Sequence, residues 1–183
     1  MTKVRPDDEK VRSQAILQAL PTLTAGVGYI VISMLVIVGH PISYVLIMIV
    51  PVVTVLTARL ATYYAGRIIH LTPRTSGYVA VVLTTLLLGY VSLLIHFPGP
   101  AFLLGLAFLL LGIAHRDARA CSIAFGAMVA SVPLDIMGPL ARSAVGGVEV
   151  WKSVSLSVVG MAIILISLYF VLRDRRLPRP KAR

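Results

Sequence analysis

Charge is scarce in this sequence, and cysteine and tryptophan occur once each. Only 13% of the 183 residues are Asp, Glu, Lys or Arg, about half of the roughly 25% usual in soluble domains. Hydrophobic residues make up 58%. A soluble domain of this length has too little interior to hide so much apolar surface, so the composition implies lipid as the solvent. The lone Cys121 excludes an internal disulfide and a dithiol redox role. There is no Gly-rich phosphate loop, no Cys/His metal spacing and no His-Glu-x-x-His motif. No metal, no cofactor and no catalytic residue is therefore expected, and an enzyme is the least favoured class. No small-x-small cleavage site with a soluble domain behind it follows the first apolar run, so no cleavable signal peptide is expected.

What is present is long apolar sequence. All 17 Lys and Arg and all 7 Asp and Glu fall outside six charge-free stretches at 20–38, 42–58, 76–95, 97–114, 120–134 and 153–172. A bilayer core of about 30 Å takes roughly 17–25 apolar residues per helix. Five stretches reach that length. The stretch 120–134 has 15 residues and becomes a full span only if extended through Asp135 to about Gly138. The runs are continuous rather than alternating, which excludes barrel strands, and backbone in lipid must then close its own hydrogen bonds as helix. The expected fold is an all-α membrane protein of six transmembrane helices arranged as short-turned hairpins.

Basic residues set the orientation. Alternate connecting segments carry 15 Lys and Arg on one side and 2, Arg142 and Lys152, on the other. Both termini are thus expected in the cytoplasm, in a plasma or inner membrane. The same asymmetry accounts for the high pI, so nucleic-acid binding is rejected. The expected organisation is a cytoplasmic segment over 1–20, a six-helix domain over 21–172 and a basic cytoplasmic tail over 173–183. Residues 8–20 read as a separate amphipathic interfacial helix, with Pro21 starting the first span. The tail is expected to hold anionic lipid headgroups.

Within the spans, Pro51 removes a backbone donor and orphans the carbonyl of Ile47, and Pro133 does the same to Val129. Such kinks either line a cavity or serve packing. Ser122, Gly126 and Ala130 recur every four residues, a spacing that lets helix backbones approach closely. The fifth span is accordingly expected to be central or to form an oligomer contact. Trp151, Tyr63, Tyr64 and Tyr78 fit interfacial aromatic belts.

Two polar groups of residues stand out. His40, His96 and Asp135 are expected near the outer boundary, where a carboxylate beside imidazoles suits proton coupling. The alternatives are three independent interfacial residues or, more remotely, two haem-ligating histidines. On the inner side lie Arg59, Arg67, His70, Arg74, His115, Arg116 and Arg119. If the second helix runs on to about Ile69, Arg59, Tyr63 and Arg67 share one face. That face suits an aromatic carboxylate, through guanidinium hydrogen bonds and ring stacking. The alternative is orientation charge with an aromatic belt.

Segment 39–77, GHPISYVLIMIVPVVTVLTARLATYYAGRIIHLTPRTSG, resembles the fusaric-acid-resistance (FUSC) or aromatic acid exporter family. His40-Pro41, Pro51, Arg59, Arg67 and Arg74-Thr75-Ser76-Gly77 carry the resemblance, and His115-Arg116-Asp117-Ala118-Arg119 is similar to that family's fourth-to-fifth connection. The resemblance implies efflux of aromatic or other organic anions, as a homo-oligomer or with partner membrane proteins. Two other functions remain open. One is a non-transport membrane subunit or a six-span stress-response protein of the HdeD type, suggested by the lack of charge at mid-depth. The other is the substrate-binding subunit of an energy-coupling-factor importer.

Overall fold

The computed structural model describes residues 6–38, 41–70, 77–95, 99–140 and 147–176. These form six helices and, among the described residues, no strand: α1 (Pro6–Val38), α2 (Pro41–Ile68), α3 (Tyr78–Ile95), α4 (Pro100–His115), α5 (Ala118–Leu140) and α6 (Gly147–Arg176). Three contain segments long and apolar enough to cross a membrane, namely Ser13–Ile37, Val45–Ile68 and Val150–Arg173. The others hold shorter apolar helical segments, Tyr78–Leu94, Pro100–His115 and Ala118–Leu134. Large apolar side chains stand exposed, among them Leu83 and Leu87 of α3 and Val158 and Leu165 of α6. This is the surface of a membrane-associated helical protein, since apolar area on this scale is not left to water.

The bundle is organised by α1 and α4. α1 packs against α2, α4, α5 and, most extensively, α6. α4 touches α1, α2, α3 and α5, and Ala101, Leu103, Leu104, Ala107, Phe108 and Leu111 are all buried along it. The fourth helix, not the fifth, is therefore the central one. α4 is short, about 24 Å at 1.5 Å per residue.

α1 and α6 run antiparallel and cross at two glycines. A Cβ added to Gly160 would lie 2.7 Å from the Gly26 carbonyl oxygen, and one added to Gly26 would lie 2.8 Å from that of Gly160. The two backbones touch there without intervening side chains, as small residues permit in lipid. Hydroxyls tie the pair on both sides of the crossing. Toward one end, the Ser167 hydroxyl lies 2.9 Å from that of Thr22. Toward the other, Ser33 meets Ser153 at 3.0 Å and Ser157 at 2.5 Å, and the Ser153 hydroxyl also reaches the Ser33 carbonyl at 2.9 Å.

α4 and α5 form a second close pair. Gly105 faces the Met128 backbone, and Gly112 faces the Cys121 amide and sulfur. Ala124, Ala127 and Ser131 are the buried residues among the described side chains of α5. Ser122, Gly126 and Ala130 lie exposed instead, and a Cβ on Gly126 would meet nothing within 4 Å. Within the single chain, the packing face of α5 is thus the neighbouring stripe of small residues.

Two further expectations are revised. The segment 8–20 is not a separate helix, because α1 runs through Pro21 without a break. Around the proline, Thr22 donates to the Ala19 carbonyl at 2.9 Å, and Thr24 lies 2.8 Å from that of Pro21. The helix continues although Pro21 supplies no donor to the Leu17 carbonyl, with the proline itself buried against its neighbours. Tyr78, the first residue of α3, is fully buried inside the bundle rather than on its surface, beside Thr62 and with its ring 5.4 Å from that of His115.

The contrast between the glycines can be tested with one chemical change. Gly160→Ala is expected to destabilise the protein by about 1–3 kcal/mol through overpacking. Gly126→Ala should be neutral or stabilising by up to about 1 kcal/mol, from helix propensity. Thermal unfolding in detergent, followed with a thiol-reactive dye at Cys121, measures both.

Candidate functional site

The turn between α4 and α5 is built by its own sequence, His115-Arg116-Asp117-Ala118-Arg119. Arg116 ends α4 in the left-handed region, at φ 54°. Its amide donates to the Ile113 carbonyl at 3.0 Å, and the Asp117 amide to that of Gly112 at 2.9 Å. This is the double-bonded helix ending that glycine usually provides, here occupied by arginine at a backbone cost of about 1 kcal/mol. Asp117 then caps α5. Its carboxylate accepts from the amides of Arg119 at 3.0 Å and Ala120 at 3.2 Å, satisfying two otherwise orphaned donors.

This two-residue connection forms one wall of a recess of about 390 Å³ at one end of the bundle. Gln18 and Thr22 of α1 form another wall, and Ser167 and Phe170 of α6 a third. His115, Arg116 and Arg119 bring basic groups to it. The Arg119 guanidinium lies 5.2 Å from the centre of the Phe170 ring, a cation–π contact that holds the charge at the rim. Chemically the recess suits an anion: guanidinium groups match carboxylate and phosphate oxygens, and Gln18 adds an amide.

A second concavity, about 580 Å³, opens between α1 and α2. It flanks the Pro51 region, and Val27, Val31, Leu46, Ile49 and Val53 make it apolar. Pro51 itself is fully buried. One turn on, the Thr54 hydroxyl donates to the Val50 carbonyl at 2.7 Å. No charged side chain is buried among the described residues. The buried side-chain polar groups there are hydroxyls, and each is bonded within the protein.

Arg59, Tyr63 and Arg67 do fall on one helix, with α2 continuing to Ile68. Arg59 is half-buried, while Tyr63 and Arg67 are exposed. Neither the recess nor the apolar groove includes them. Tyr63 packs its ring edge-on against Tyr64 at 5.6 Å. His40 and His96 lie outside the described residues, and Asp135 is a residue of α5. Among the described residues no group of three His, Cys, Asp or Glu is placed to hold a metal. Ser167 and Phe170 are not marked out by the sequence. Their one legible signal is polarity within or beside an apolar run, and Phe170 offers none.

Comparison with known protein families, with curated proteins and with solved structures found no match to this chain.

Asp117→Ala is expected to cost about 1 kcal/mol by uncapping α5, whereas Asp117→Ser should keep most of the cap. Comparison of the two melting temperatures checks this.

Proposed function

We propose that the protein is a six-span integral membrane bundle, with both termini on the cytoplasmic side of the cell membrane. In this reading it works as a membrane-embedded subunit, beside partner membrane proteins or further copies of itself, rather than as an autonomous carrier. Six spans are supported by the six apolar helices and their short connections. The orientation is supported by the 15-to-2 asymmetry of basic residues. One observation carries the subunit reading: among the described residues the interior holds hydroxyls but no charged side chain. The concavity beside Pro51 is apolar, and no described charged group is buried. Secondary carriers ordinarily hold their substrate and coupling ion near mid-depth, on polar or ionisable groups.

Efflux of organic anions is the second reading. The recess favours it, because Arg116, Arg119 and Phe170 together offer charge and a ring to an aromatic acid entering from the cytoplasm. Proteoliposomes containing the purified chain separate the two. The subunit reading expects no flux of an aromatic carboxylate above that of empty vesicles. Flux that falls in Arg119→Gln or Arg67→Ala would establish the exporter instead. Placement is tested independently. A reporter fused after Arg183 should fluoresce if it is green fluorescent protein and stay inactive if it is alkaline phosphatase. The opposite pattern would reverse the orientation.

A further inference from the structure

The recess combines features that a charge placed only for membrane orientation does not need. Arg116 and Arg119 are exposed, yet they line one concavity whose other walls come from α1 and α6. Arg119 is held against Phe170. Arg116 sits at a backbone position where glycine would be less strained. The α5 N-terminus beside it is already closed by Asp117, so attraction for an anion comes from the side chains. Asp117 offsets one positive charge, which leaves Arg116 and Arg119 with a net charge of about +1 between them.

The recess also has a defined level. It lies where Ser167 and Phe170 approach the end of the apolar part of α6, with Arg173 exposed one turn beyond. On α1 it lies beside Gln18 and Thr22, near the start of the apolar segment Ser13–Ile37. In a bilayer this is headgroup depth, where phosphate esters are the most concentrated anions. Ile123 of α5, with Thr22 and Ser167, lines the recess on the side of the charged turn that faces the apolar segments. Basic pockets between helices on the cytoplasmic side bind lipid headgroups on these terms.

We propose that the recess between α1, the α4–α5 turn and α6 is a binding site for a phosphate ester, with Arg116 and Arg119 as its anion-binding residues. The level of the recess relative to lipid rests on the membrane placement proposed above; the charge and the cavity do not. The occupant is distinct from headgroups gathered loosely by the basic tail, because it needs the walls of the cavity.

The full chain, purified in a mild non-ionic detergent, can be titrated with phosphatidylglycerol, phosphatidylcholine or glycerol 3-phosphate and examined by native mass spectrometry. Phosphatidylglycerol should be retained in preference to phosphatidylcholine. Arg119→Gln and Arg116→Gly should each lower its affinity about fivefold, the effect of one basic residue near a lipid surface. Arg116→Gly is the more telling variant, since its melting temperature should hold or rise while binding falls. Binding of glycerol 3-phosphate with the same dependence on both arginines, and no preference between the lipids, would also support the site and assign it a soluble phosphate ester. Equal retention of the two lipids without glycerol 3-phosphate binding would overturn it. So would a preference that neither substitution changes. Because the titration is done in micelles, a reversed topology in the fusion experiment would leave its outcome untouched.

Discussion

The backbone contact between Gly26 and Gly160 is the constraint on which the arrangement of this bundle depends. It brings the first helix against the last, more than 130 residues apart in sequence. In lipid, apolar side chains gain little by leaving the solvent for one another, so helix pairs are held by close packing and interhelical hydrogen bonds. The α1–α6 pair has both. The glycines remove the side chains that would separate the axes, and hydroxyl contacts at Thr22–Ser167 and Ser33–Ser153 fix the register on either side. With α6 held there, its later turns stand opposite Gln18 and Thr22, and the recess acquires its third wall.

The same economy governs the interior polar groups. Thr54, Thr62 and Thr85 each return a hydrogen bond to the carbonyl one turn earlier, which hides a hydroxyl in apolar surroundings at little cost. Ser33 and Ser153 bond between helices, and Thr22 and Ser167 meet across the α1–α6 pair while each also reaches a carbonyl of its own helix. Tyr29 adds a longer link, its hydroxyl donating to the Ala101 carbonyl of α4 at 2.9 Å. The interior is thereby satisfied without charge, and ionic chemistry is left to the ends of the helices. The α4–α5 turn is where the described chain concentrates it, because that connection is only two residues long and three of its neighbouring side chains are basic. A tight antiparallel pair, stacked at Gly105 and Gly112, holds that turn against α1. Packing between the helices and the gathering of basic groups at this end thus follow from a single division of polar groups.

Much of the helical framework is legible in the residues themselves. Long apolar runs bounded by charge predict each helix, although α2 continues past Arg59, the charge that bounds its run, to Ile68. Scarcity of buried charge is already visible in the positions of the 24 charged side chains. The break expected at Pro21 does not occur: α1 continues through the proline, which is buried among neighbouring helices. Arg59, Tyr63 and Arg67 follow helical spacing, yet spacing says nothing of whether a face meets a cavity, and theirs is open. Asp117 was readable as a cap in principle, being an aspartate directly before an apolar helix.

By itself, then, the sequence determined that this protein is helical, apolar and basic at alternate connections, since length, hydropathy and charge act through the chain locally. Only the tertiary structure decided which helices pair, that α4 rather than α5 is enclosed, that Ala124, Ala127 and Ser131 face inward while Gly126 faces out, and that Tyr78 is buried. The reason is physical. A helix apolar on every side has no hydrophobic face to declare its partner. Small residues permit close approach without naming what approaches. The recess joins residues from Ala15 to Val171, and its existence follows from pairings that no local pattern encodes.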